Sequence, residues 1–201
     1  MHEIVLETCK NNEKNKHHEN RVNPYRYTGK LLFSTSISII EFDFDTRSVN
    51  ILSEIGNSYV FAIDYDYKNR YIYFPRYSTN DIVRFAYPSK IISMQTFVET
   101  EPYPTGIGVD SANDHIYWIT RFGILSKCNL DGTIISTVAS SFKDSWVMRL
   151  DITNRWMYVA EQGKGITKSR FDLAEQQKIV NFTSSNVYCM DIGTFSPFIF
   201  Y

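Results

Sequence analysis

The chain has 201 residues, 43% of them apolar and 15% aromatic, which is ample for one ordered domain. Its formal net charge of −1 argues against a nucleic-acid partner, because neutralising phosphates requires a basic face. No run of about 18 apolar residues is present to cross a bilayer, and three cysteines are too few, and odd in number, for a disulfide scaffold.

Residues 1–27 are rich in Lys, Asn, Glu and His. Such a segment cannot bury enough surface to offset its ordering entropy, so a poorly ordered polar head is expected. Its first residues, His2-Glu3-Ile4-Val5-Leu6-Glu7, lack the basic patch and long apolar region of a secretory signal. The His17-His18 pair has no further ligand at metal-binding spacing, which predicts a solvated head and no metal or other cofactor.

From residue 28 the chain repeats itself. Leu32-Phe33, Tyr73-Phe74, Tyr117-Trp118, Tyr158-Val159 and Phe200-Tyr201 follow one another at intervals of 41, 44, 41 and 42 residues. Upstream of four of them an apolar segment closes on aspartate, at Asp64, Asp110, Asp151 and Asp191. A period of about 40–45 residues built of short strands is the mark of propeller blades.

The third unit is the cleanest. Gly106 to Asp110 and His115 to Ile119 are strand patterns, with Ser111-Ala112-Asn113-Asp114 as the turn between them. Ile124 to Asn129 gives a third strand, Asp131-Gly132 a hairpin signal, and Ile134 to Val138 a fourth strand. The predicted fold is therefore all-β, a β-propeller of four-stranded antiparallel blades over residues 28–201. Cys128 and Cys189 fit as small core fillers, the common place of an unpaired thiol.

Pro104 to Asp110, then Ile116-Tyr117-Trp118, then Asn129-Leu130-Asp131-Gly132 resemble a YWTD repeat of the low-density lipoprotein receptor family. The four-residue signature is nowhere intact, since its closing aspartate is absent from every copy. The resemblance implies a six-bladed ring that binds or releases protein ligands. It places the chain outside the cell, in a membrane receptor or a secreted protein, with no membrane contact by this segment. Six units need about 250 residues, so the chain reads as part of such a ring. In the repeats, the rings of Tyr73, Tyr117 and Tyr158, with Trp118 beside Tyr117, would fill wedges between blades. Asp64, Asp110 and Asp151 would accept turn N–H groups, and their repetition points to architecture, since a catalytic group is needed once.

Propellers bind ligands on loops around the central channel. Five positions before the repeat aspartates stand Tyr59, Thr105, Trp146 and Asn186. Arg76-Tyr77, Arg121-Phe122 and Glu161-Gln162 lie between second and third strands. Aromatics interleaved with Arg are the composition of protein-binding hot spots. Trp146, Arg121, Phe122, Arg76 and Tyr77 are the expected partner-binding residues, weighed against plain packing between blades.

A lactonase-like metal site could draw on Glu54, Asn57, Glu101 and Asp144, but these form no motif. His115 is the one histidine of the repeat region, and no nucleophile motif accompanies it. No catalytic residues are expected, and the chain is read as a non-enzyme. An NHL-like intracellular propeller is the alternative binding module, since it shares the Gly-Ile-x-Val-Asp pattern. Asn181-Phe182-Thr183 is an N-glycosylation sequon compatible with secretion.

Overall fold

A computed structural model describes residues 2–7, 29–182, 187–188, 190–192 and 199–200. Every regular element among them is a strand. The first sheet holds β1 (His2–Glu7), β2 (Gly29–Ser34), β3 (Ser38–Asp43) and β4 (Val49–Glu54). The second holds β5 (Asp64–Asp66), β6 (Tyr71–Arg76), β7 (Asp81–Ala86) and β8 (Gln95–Glu99). The third holds β9 (Pro104–Asp110), β10 (His115–Thr120), β11 (Leu125–Asn129) and β12 (Ser136–Ala139). The fourth holds β13 (Ser145–Asp151), β14 (Trp156–Glu161), β15 (Gly165–Arg170) and β16 (Gln177–Val180). A two-stranded fifth sheet pairs β17 (Asp191–Ile192) with β18 (Ile199–Phe200). Within each sheet the strands are antiparallel and stand in sequence order, the pattern of propeller blades.

The polar head expected over residues 1–27 contributes a strand. β1 pairs with β2 from His2 opposite Ser34 to Glu7 opposite Gly29, and so fills the first-strand place of blade one. The unit therefore starts a strand earlier than the repeat phase suggested, and the rest of the head lies outside the described residues.

First strands of successive blades lie side by side, β5 beside β9, β9 beside β13 and β13 beside β17. The space there is narrow, and a Cβ on Gly108 would come within 2.6 Å of the Leu150 side chain. The second strands of blades two to four are buried on both faces, with alternate residues serving different neighbours. Ile72 and Phe74 share one core with Leu32 and Ile39 of blade one, whereas Tyr73 shares the next with Ile107 and Trp118 of blade three. Tyr117 and Ile119 then meet Met148 and Val159 of blade four. Tyr158 and Ala160 meet Val187 and Met190 before the fifth sheet. Each hydrophobic core is thus an interface between blades. Cys128 is a free thiol buried in the second interface, where burial raises its pKa to about 12.

The ends of the first strands carry a recurring turn. Asp66 accepts the N–H of Lys68 at 3.0 Å and the side-chain amide of Asn69 at 2.8 Å. Asp110 holds Asn113 in the same way, and Asp151 holds Asn154. The next residue is left-handed in each case, at φ 59° for Arg70, 57° for Asp114 and 60° for Arg155, a conformation whose cost the aspartate's hydrogen bonds offset.

This register corrects the repeat phase of Asp64. Tyr73 stands opposite Asp64, whereas Tyr117 stands opposite Gly108 and Tyr158 opposite Arg149. The partner of Asp110 and Asp151 is therefore Asp66, two residues on. Asp64 instead reaches across to blade three, accepting the Val109 N–H at 2.7 Å.

Blades one and two are further joined through Glu41, which is 4% exposed. Its carboxylate accepts Lys30 at 2.8 Å, Asn50 at 3.2 Å and the Tyr87 hydroxyl of blade two. Burial alone would raise its pKa, but the hydrogen bonds from Lys30, Tyr87 and Asn50 outweigh that and hold it low. A carboxylate with a depressed folded pKa stabilises fully above its unfolded value and loses that contribution as pH falls through the folded one. Glu41→Gln should therefore lower the unfolding midpoint at pH 7. The gap from the parent protein should close below about pH 4, near the unperturbed carboxylate pKa. Thermal unfolding followed by circular dichroism across that range is the test, and a gap independent of pH would refute the assignment.

Candidate functional site

At the end of the blades away from the aspartate turns, loops far apart in sequence are drawn together. The N–H groups of Tyr77, Arg121 and Gln162 donate to the carbonyls of Tyr59, Tyr103 and Asp144 at 2.9, 2.9 and 3.1 Å. Three blades thus tie the loop before the first strand to the turn after the second in one way. Tyr59 matches Tyr103 and Asp144, and two residues on, Phe61 matches Thr105 and Trp146. The sequence had paired Tyr59 with Trp146; the two-residue slip at Asp64 accounts for that.

Phe61 is the hub of an aromatic surface here. It meets Tyr77 and Trp146 edge-on, at ring separations of 5.3 and 5.2 Å, while Tyr77 lies nearly parallel to Trp146 at 6.1 Å. Tyr59 extends the surface beside Phe61, Tyr188 beside Trp146, and Tyr103 beside Tyr77, with Phe122 beyond it. Phe61, Tyr77 and Trp146 are half-buried, whereas Tyr59, Phe122 and Tyr188 are 50, 61 and 59% exposed. Such contiguous exposed apolar area is uncommon on a monomer and marks contact surfaces.

Arg121 is the charged group of this rim. Its guanidinium stands 5.3 Å over the Trp146 ring. It also donates to the Tyr77 hydroxyl and pairs with Asp144, each at 3.4 Å. These contacts, the Tyr77 hydrogen bond foremost, raise its pKa above the ordinary arginine value. Trp146 both leans on the core between blades four and five and belongs to the rim, and its Nε1 has no hydrogen-bond partner among the described residues.

Four of the five expected partner-binding residues therefore converge: Trp146, Arg121, Phe122 and Tyr77. Arg76 does not join them, because its Nε and Nη2 both donate to Asp81 across its own hairpin. Phe61 and Tyr103 were missed by the sequence. Placing the repeat aspartate of blade two at Asp66 puts Phe61 five residues before it, in line with Trp146 before Asp151.

The residues suited to a metal cage are dispersed or engaged. Glu54 and Asn57 are exposed, and Asp144 faces Arg121. Glu101 accepts the Trp118 indole N–H at 3.1 Å and the Ser126 hydroxyl at 2.8 Å. Among the described residues no three His, Cys, Asp or Glu side chains gather. Asn181 is exposed just after β16, and Thr183 of its sequon lies outside the described residues.

Grooves of about 600 and 680 Å³ open at the opposite end, between blades three and four and between blades two and three. Their cations are largely engaged within the fold. Arg155 pairs with Asp110, Arg170 with Glu175, and Arg84 lies 4.7 Å over Tyr71.

No family model matches the chain, and no curated protein matches it. Solved structures do. A chain of the nidogen/laminin complex superposes with a TM-score of 0.74 at 15% identity, covering 83% of this chain and 66% of that one. Auxiliary nutrient binding proteins are also similar. The one from Bacteroides thetaiotaomicron has a TM-score of 0.67 at 12% identity over 82% of this chain and 42% of its own. The one from Bacteroides ovatus has 0.66 at 17% identity over 83% and 42%. The chain thus spans about two thirds of the first structure and under half of the other two. The shared fold is the β-propeller.

Gly123 sets the Arg121-Phe122 turn. It has φ +80°, and a Cβ there would fall 1.5 Å from the Phe142 carbonyl oxygen. Gly123→Ala should cost about 2 kcal/mol or more in stability and should perturb Trp146 fluorescence as the turn shifts. Denaturant unfolding together with the emission spectrum checks both, and an unaltered midpoint would count against the close approach.

Proposed function

We propose that this chain is a non-enzymatic, protein-binding propeller module whose docking surface is the rim centred on Tyr77, Phe122, Trp146 and Arg121. The observation that carries this reading is the convergence of exposed rings and one arginine, from loops of several blades, on a single surface. Aromatic and arginine anchors dominate protein interfaces, and truncating one typically costs about 2 kcal/mol or more of binding. The finer assignment is to a YWTD-type propeller of a lipoprotein-receptor-like or other extracellular protein. It is supported by the Tyr117-Trp118 pair, by Asn129-Leu130-Asp131-Gly132, and by the similarity to the nidogen/laminin complex.

An NHL-like interaction propeller inside the cell is the second reading, favoured by Gly106-Ile107-Gly108-Val109-Asp110. Glycan occupancy at Asn181 in the natively expressed protein separates the two, since an intracellular protein would carry none. Mass spectrometry of the tryptic fragment containing Asn181 should find the glycan.

The rim reading makes a prediction of its own. Phe122→Ala and Tyr59→Ala, both at exposed positions, should leave the unfolding midpoint within about 0.5 kcal/mol of the parent. Each should weaken a protein ligand of the chain at least tenfold. Ligands that bind all variants equally in a titration would place the docking surface elsewhere.

A further inference from the structure

The joints between blades differ in how much of their polar lining the fold itself uses. Arg84, Lys127 and Lys168 stand opposite Tyr73, Tyr117 and Tyr158 in register. In blade two, Arg84 donates to the Tyr73 hydroxyl at 3.2 Å and to the Leu130 carbonyl at 3.4 Å. In blade four, Lys168 rests 3.9 Å over the Trp156 ring. Blade three has neither arrangement. Lys127 stands 6.0 Å from the centre of the Tyr117 ring and makes no hydrogen bond or ion pair among the described residues. Tyr117 is only 3% exposed, and its hydroxyl has no hydrogen-bond partner among them. Both residues line the groove of about 600 Å³ between blades three and four, a size within the range of small-molecule sites.

The charges of this groove pair off incompletely. Arg155 is matched by Asp110 and Arg170 by Glu175. Lys127 and Asp172 remain in the lining, one of each sign, and neither forms an ion pair among the described residues. Asp172 uses one oxygen to accept the Ala174 N–H at 3.0 Å. Lys127 and Asp172 both act on Tyr117. Burial is the main cause of its raised pKa, and the charges of Asp110 and Asp172 add to it.

A simple anion would meet Lys127 and be repelled by Asp172, and a simple cation would meet the reverse. An uncharged sugar would leave both without a counter-charge. A molecule with one carboxylate and one ammonium answers both through charge-assisted hydrogen bonds, which are the stronger kind. The Tyr117 hydroxyl supplies a further donor for the carboxylate.

We propose that this groove, apart from the aromatic rim, binds a small zwitterion: a free amino acid or a short peptide with both termini charged. Its carboxylate lies at Lys127 and the Tyr117 hydroxyl, and its ammonium at Asp172.

The test is a titration of the full chain, followed by protein NMR, with each standard α-amino acid, triglycine, acetate and methylammonium. At least one zwitterion should bind, and the ranking of amino acids against triglycine separates the two sources. Acetate and methylammonium should bind at least about tenfold more weakly, since each answers one charge only. Lys127→Gln, and Asp172→Asn, which keeps an acceptor for the Ala174 N–H, should each weaken the zwitterion about tenfold or more. Ile91→Ala, at a remote and 80% exposed position, should change nothing. Unfolding midpoints of the variants show whether a loss is one of folding. Where a variant is unfolded, the probe ranking on the parent chain decides. Acetate or methylammonium binding as tightly as the zwitterions overturns the inference. So does an absence of zwitterion binding, or binding that both folded variants leave unchanged.

Discussion

Tyr73, Tyr117 and Tyr158 each stand on a strand covered by the preceding blade on one face and by the following blade on the other. No blade in the row closes a core of its own. The buried side chains of β6, β10 and β14 gain their burial only when neighbouring sheets arrive, so stability is shared between units and propagates along the stack. The sheets are therefore held face to face, and the loops at either end inherit their spacing from that contact.

Polar contacts fix how far one blade turns against the next. Asp64 takes the Val109 N–H of the following blade, and Arg149, at the equivalent register, donates to the Met190 carbonyl at 2.9 Å. Gly108 occupies that register in between and leaves room for Leu150. One position thus serves three successive joints with a carboxylate, an absent side chain and a guanidinium. Lower down, a cation stands beside the tyrosine of each pair. Arg84 lies near Tyr73, Lys127 6.0 Å over Tyr117 and Lys168 5.9 Å over Tyr158. Blade one departs from this rule. Glu41 faces Leu32 there, and the joint is made by the Tyr87 hydroxyl instead.

The two ends of the stack have diverged in role because they have diverged in constraint. The Asp-x-x-Asn turns are closed by their own side chains and repeat almost unchanged. The opposite loops share only a backbone hydrogen bond, that of Tyr77 to Tyr59 and its two equivalents. Their side chains are free to vary, and across three blades they have become the aromatic surface. Arg76 shows how local geometry withdraws a residue from that surface, since Asp81 lies within reach on its own hairpin.

The sequence by itself determined the architecture and much of the site. A 41–44-residue period with turn residues between apolar runs leaves few folds other than the propeller, and the spacing of Tyr77, Arg121-Phe122 and Trp146 within it put them on one rim. Periodicity reports position within a unit, and here that was sufficient. Three things were decided by the tertiary structure. Val5 and its neighbours became a strand because the β2 edge was available to pair, a contact made across 21 intervening residues. Asp66 displaced Asp64 from the repeat because register is set by cross-strand pairing, to which two aspartates two apart look alike in sequence. Phe61 became the hub of the rim because its ring meets residues 16 and 85 positions away, Tyr77 and Trp146, and no local pattern encodes a contact over that distance.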